Sequence, residues 1–172
     1  MILRPASLND VEELVSVGRR SFADAFGHLY APEDLEKFFT EWRTQERFAA
    51  AVEDADTSLT VCEIGGAIVG YSLTVVGKGM EERPEPKPAS PAFLNQLYCL
   101  QSATGQGIGA ALMDEVISEA RRRSCDAIQL SVYSENFGAQ RFYQRYGFVK
   151  VADIDFWVGN HRDDEFLYEL RL

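Results

Sequence analysis

A mixed α/β fold, one sheet covered by helices on both faces, follows from three features of this 172-residue sequence. Apolar residues recur at helical spacing in some segments and at strand spacing in others, in the order strand, helices, three strands, helix, strand, helix, two strands. The pair Gly65-Gly66 joins two β-rich runs and suits the positive dihedrals of a tight hairpin. The stretch Leu97 to Gly109 reads as a strand that delivers a glycine turn straight into an amphipathic helix.

Ile2 and Leu3 open a short strand stopped by Pro5, and Ser7 with Asp10 three residues on forms an acidic variant of the capping box. Leu8, Val11, Leu14, Val15, Phe22 and Phe26 then give the first helix an apolar face, and Gly27 ends it. Pro32 suits the first position of a second helix with Leu35, Phe38, Phe39 and Trp42 as its buried stripe. Thr44 caps a third, short helix through Phe48 and Val52.

Leu59 to Glu63 and Ala67 to Val76 form the hairpin, and the charged, proline-rich segment Gly77 to Pro91 reads as an exposed, semi-extended loop. The strand at Leu97 to Leu100 follows, then a helix from Ile108 to about Arg123. Ile128, Leu130 and Val132 alternate with Gln129, Ser131 and Tyr133, predicting a strand with one apolar face. Asn136 starts a last helix through about Tyr146 and Gly147 stops it; a strand begins over Gly147 to Val151, Gly159-Asn160 can turn the chain, and Phe166 to Leu172 closes it with another strand.

Length and composition (46% hydrophobic, 26% charged) suit a single domain over residues 1–172. No run approaches the roughly 20 apolar residues of a membrane span, and Met1 to Pro5 lacks the core of a secretory signal, so a cytoplasmic protein is expected. Cys62, Cys99 and Cys125 form no C-x-x-C pair and read as buried thiols in a reducing compartment. A net charge of -10 opposes nucleic-acid binding and is compatible with cationic partners. No metal ligand set is expected.

The chemistry is concentrated in two segments. In Thr104-Gly105-Gln106-Gly107-Ile108-Gly109, glycines let the backbone approach a ligand while the first helical turn presents N–H groups without intrahelical partners. That geometry suits a diphosphate. The second segment contains Asn136, Ala139, Phe142-Tyr143 and Gly147-Phe148.

Together these motifs resemble the GCN5-related N-acetyltransferase (GNAT) superfamily, whose acyl-CoA motif runs glutamine or arginine, two residues, glycine, one residue, then glycine or alanine. The resemblance implies an α+β architecture with a mixed, mostly antiparallel sheet of about seven strands, and acetyl-CoA as co-substrate. By the resemblance, the backbone of Leu97, Tyr98, Cys99 and Leu100 holds the pantetheine arm as an added strand. Thr104, Gly105, Gln106, Gly107, Ile108 and Gly109 form the pyrophosphate loop, and Asn136 fixes the arm near the thioester. Tyr143 is the general acid for the departing thiolate, and a backbone N–H near Tyr98 or Cys99 stabilises the oxyanion.

Two positions depart from the pattern. Thr104 stands where the family has glutamine or arginine, and Phe93 stands where many relatives place a glutamate, five residues before Tyr98. The proton of the amine then has to leave through water to Tyr98, His28, or an acid among Glu33, Asp34 and Glu36. The segment around His28 and Tyr30 is similar to members that acetylate small amines, some of them polyamines, which assigns both residues to the acceptor. The expected activity is therefore direct acetyl transfer to a primary amine of a small molecule, by a monomer or homodimer. The alternatives are a protein or peptide amino terminus or lysine as acceptor, and a non-catalytic acyl-CoA sensor.

Overall fold

The computed structural model describes residues 1–172, in which seven strands form one sheet. The strands are β1 (Ile2–Pro5), β2 (Thr57–Ile64), β3 (Ala67–Val76), β4 (Pro91–Cys99), β5 (Ala127–Tyr133), β6 (Val149–Val158) and β7 (His161–Arg171). Their spatial order is β1-β2-β3-β4-β5-β7-β6, and only β4 and β5 run parallel. The helices are α1 (Val11–Phe26), α2 (Pro32–Trp42), α3 (Gln45–Glu53), α4 (Ile108–Arg122) and α5 (Phe137–Arg145).

Alternation along the strands feeds two cores. Leu59 and Val61 of β2 and Tyr71 and Leu73 of β3 pack against Val11, Leu14, Val17 and Phe48 from α1 and α3. Cys62, on the opposite face, joins Ile108 and Leu112 of α4, while Met113 and Val116 pack over β4 and β5 with Phe148. Gly70 makes this closeness possible: a Cβ there would sit 2.9 Å from the Tyr98 carbonyl and 3.0 Å from Ile108.

Local signals set most boundaries. Gly65 and Gly66 take φ of 63° and 83°, the double positive value of a tight hairpin turn. Pro32 is the first residue of α2, and the Thr44 hydroxyl accepts the Arg47 N–H at 3.2 Å. Two expected core residues lie outside it. Leu8 belongs to a 3₁₀ turn before α1 and is exposed, and Trp42 is exposed beneath the Arg47 guanidinium, 4.2 Å from its ring.

The segment from Gly77 to Pro91 is largely exposed, as expected, but it does not hang free of the sheet. The proline-rich loop is tethered, because Arg83 reaches the buried Glu169 at 2.8 Å and the Met80 N–H donates to the Gln129 Oε1 at 2.7 Å. Gln129, only 1% exposed, donates in turn to Glu169 at 2.9 Å. The loop thus covers the polar face of β5, and hydrogen bonding makes burial of that face tolerable.

At the start of the chain, the Asp10 carboxylate accepts the Ser7 N–H at 2.7 Å and two bonds from Arg4 at 2.7 and 2.8 Å. The Arg4 guanidinium holds this carboxyl well below the usual carboxylate range. Its stabilisation is complete above the unfolded value of about 4 and is lost as pH falls toward the depressed folded value. Asp10→Asn is expected to destabilise by about 1 to 2 kcal/mol at neutral pH. Thermal melts should show the gap to wild type narrowing at about pH 3.

Candidate active site

The sheet forks in its middle. β4 and β5 pair only over Pro91↔Ala127, Ala92↔Ile128 and Phe93↔Gln129, and beyond Phe93 they part. The partner register of β4 slips between Leu73 and Thr74 of β3, making Asn95 an extra residue. Such a bulge bends and twists its strand. The fork opens a cavity of about 860 Å³ walled by Leu94 to Cys99 on one side and Leu130 to Tyr133 on the other. On its β5 side, the outer half of β4 is an unpaired edge, able to bond an extended ligand as a further strand would.

Where β4 ends, a 3₁₀ turn (Gln101–Ala103) leads into the glycine loop. Gly105 and Gly107 have φ of 77° and 79°, and a Cβ at either would meet nothing within 4 Å. The loop is therefore open on its outer side, with the α4 N-terminus behind it. Leu100 and Ile108 are buried core residues, whereas Thr104 to Gly107 are exposed. The loop lies outside the cavity, past the strand end. Leu97, Tyr98 and Cys99 wall the cavity itself, and Asn136, Ala139 and Tyr143 line it from α5 and its cap.

Asn136 spends its side-chain oxygen on the helix: Oδ1 accepts the Ala139 N–H at 3.0 Å, which leaves its NH₂ for a ligand. The Tyr143 ring packs edge-on against Phe142 and Phe148 at 5.3 and 5.7 Å. Burial, then the nearby Tyr98 and Glu165, raise its phenol well above the ordinary tyrosine value, so it stays a proton donor. Opposite, Tyr98 lies between Phe22, Tyr71 and Arg43. Arg43 is a buried cation 5.0 Å from the Phe38 ring and 5.7 Å from that of Phe22.

Residues 20–148 match the model of the acetyltransferase (GNAT) family. The chain belongs to the GNAT family. This GNAT protein is 24% identical over 166 residues to an uncharacterised N-acetyltransferase of Lactobacillus delbrueckii, covering 96% of this chain and 94% of the relative. It is also 24% identical over 158 residues to a spermidine N(1)-acetyltransferase of Thermoplasma acidophilum, covering 89% and 90%. Among solved structures, the PaiA N-acetyltransferase of Thermoplasma acidophilum in complex with coenzyme A superposes with a TM-score of 0.80. The two are 20% identical, with 99% of this chain and 98% of that one covered. The mixed, mostly antiparallel seven-stranded sheet is thus the GNAT fold, and the chain is an N-acetyltransferase.

Within this GNAT fold, Thr104 has a local task. Its hydroxyl donates to the Gln101 carbonyl at 2.8 Å and closes the turn before the loop. Phe93 lines the cavity, leaving the β4 wall apolar where the family pattern has a glutamate. Tyr30 also lines it and donates to Asp163. His28 is exposed and is not part of the lining. Asp34 is occupied at the β6–β7 turn, where it accepts the Asn160 N–H at 2.7 Å, and Glu33 and Glu36 do not line the cavity. Burial raises all three thiols, Cys62, Cys99 and Cys125, so none is a ready thiolate.

Sequence reasoning missed Glu165. It lines the cavity from β7, its Oε2 is buried without a hydrogen-bond partner, and burial pushes its carboxyl up to about 7. Asp163, Glu165, Leu167 and Glu169 share one face of β7, but only Leu167 of the four is apolar, so the sequence carries no alternation that singles Glu165 out.

Proposed function

We propose that the chain transfers an acetyl group from acetyl-CoA directly to a primary amine of a small molecule, with di- and polyamines as the first class of acceptor. The fork between β4 and β5 carries the reading. It joins an unpaired strand edge and an open glycine loop, both suited to the arms of CoA, to a cavity lined by Tyr143. The empty space over Gly105 and Gly107 is what a pyrophosphate needs in order to reach backbone N–H groups. The likeness to a spermidine acetyltransferase and the net charge of -10 both favour a cationic acceptor.

When bound, acetyl-CoA supplies the activated acyl group, and the chain's residues do the rest. Leu97 to Leu100 would bind the pantetheine arm through main-chain groups, with the Asn136 NH₂ beside it. The amides of the loop, Thr104 to Gly109, would neutralise the diphosphate. A backbone N–H near Tyr98 or Cys99 would face the oxyanion, and Tyr143 would donate its phenolic proton to the leaving sulfur.

The decisive assay is release of free thiol from acetyl-CoA against a panel of diamines, polyamines, amino acids and peptides. Turnover should be greatest with small di- or polyamines. Turnover confined to peptides would overturn the acceptor class. Tight CoA binding by calorimetry with no turnover on any acceptor would overturn the enzymatic reading.

A further inference from the structure

Three inward-facing carboxylates line one face of β7, and two of them are fully engaged. Asp163 accepts from Tyr30 and pairs with His161 at 3.2 Å. Glu169 pairs with Arg83 and Arg171, both at 2.8 Å, and accepts from Gln129. Glu165 has no cation, and its Oε2 has no donor. It stands in register with Tyr133 of β5 and Ile154 of β6, and it lines the same cavity as Tyr98 and Tyr143. The β4 wall offers only Phe93 where the family pattern has a carboxylate.

We propose that Glu165 is the proton acceptor for the incoming ammonium group, supplying from β7 the base that β4 lacks. The proposal rests on the acetyl-transfer reading. An alkylammonium, with an ordinary pKa of about 10, has no lone pair for attack until one proton is removed. Glu165 takes that proton and becomes a neutral acid. The freed nitrogen forms its bond to the acyl carbon, the C–S bond breaks with its electron pair going to sulfur, and Tyr143 protonates the sulfur. The second nitrogen proton restores the Tyr143 phenol through water, and Glu165 returns its own proton to solvent. One proton is released per turnover.

The surroundings tune the group for this task. Burial raises the Glu165 carboxyl to about 7, the Asp163 charge adds to the rise, and Ser131 of β5 opposes it. The phenols of Tyr98 and Tyr143 stay protonated, being raised themselves partly by the Glu165 charge. Arg43 is the buried cation on the cavity wall, 5.8 Å from the Tyr98 ring, and its charge opposes the rise of that phenol. Tyr133 of β5 and Tyr30 face the same space, while Lys37 and Glu41 of α2, Lys78 and Glu82 of the β3–β4 loop and Asp155 of β6 complete its charged lining. A base with a value near 7 is half ionised at neutral pH, and an arriving ammonium favours the ionised half.

The test compares wild type with Glu165→Gln and Glu165→Asp, using an alkylamine and a weakly basic amine already neutral at the assay pH. For the alkylamine, Glu165→Gln should lower kcat/KM by about 10²-fold at neutral pH. The deficit should shrink as pH approaches about 10, where the alkylamine loses its own proton. The weakly basic amine should show almost no deficit, Glu165→Asp should recover part of the rate, and calorimetry should give unchanged CoA affinity.

In the acceptor-free protein, an NMR titration should show one glutamate carboxyl titrating near 7 in wild type and none in Glu165→Gln. Equal deficits for both amines at every pH, or no carboxyl titrating in that range, would overturn the proposal. A wild type that acetylates no amine while its carboxyl titrates as expected would instead overturn the acetyl-transfer reading.

Discussion

Tyr143→Phe is expected to lower kcat by about 10²-fold while leaving the KM for acetyl-CoA within about twofold. General acid catalysis contributes about 10² to 10⁴, and the lower end applies because a thiol of pKa near 8.5 is a tolerable leaving group without a proton. Phenylalanine keeps the ring against Phe142 and Phe148, so packing should survive and any loss belongs to the hydroxyl. Because burial holds this phenol above its ordinary value, Tyr143 should impose no alkaline fall in rate below about pH 10. Thiol release at saturating substrates, measured from neutral to alkaline pH, checks both statements. A variant within threefold of wild type would remove Tyr143 from the chemistry, and the thiolate would then leave unaided.

The two tyrosine and glutamate tests read different protons. Loss of Tyr143 affects departure of sulfur whatever the basicity of the amine, whereas loss of Glu165 is felt only when the amine arrives protonated. A low-basicity acceptor therefore separates them within one assay. If both substitutions respond to amine basicity, the two groups share one proton path and their effects will not add.

What could be read from residues alone was what local geometry dictates. The hairpin at Gly65-Gly66 needs two positive φ values, Thr44 caps the helix it precedes, and Gly107 starts α4 with a φ of 79°. The cavity was not legible, because it arises where two strands distant in sequence stop pairing. Glu165 was hidden for a related reason. The start of β7, His161 to Glu165, is polar throughout, and a polar run gives no apolar alternation to mark it as a strand. Gln129 and Glu169 look like solvent-facing residues until the β3–β4 loop folds over them with Arg83. In each case burial is decided by the partner, and the side chain's own polarity misleads.

Gly107→Ala should raise the KM for acetyl-CoA by about tenfold or more, whereas Gly109→Ala should be nearly silent. Both glycines belong to the same motif, yet they meet different constraints. At Gly107 the space over a Cβ is empty, so crowding is not the obstacle, and φ of 79° is. Holding an alanine in that left-handed conformation costs about 1 to 2 kcal/mol. The strain is relieved if φ turns negative, which swings the following amides away from the ligand they are proposed to hold. Each 1.4 kcal/mol of lost binding is about tenfold in affinity.

Gly109 is already in the first turn of α4 with no positive φ, and its Cβ would meet Phe142 at an ordinary 3.9 Å. Alanine there also gains helix propensity, so stability should rise by up to about 1 kcal/mol. Calorimetric CoA binding and thermal melts of the two variants side by side test this. Equal loss of affinity in both would mean that the loop works through flexibility and not through the left-handed turn at Gly107.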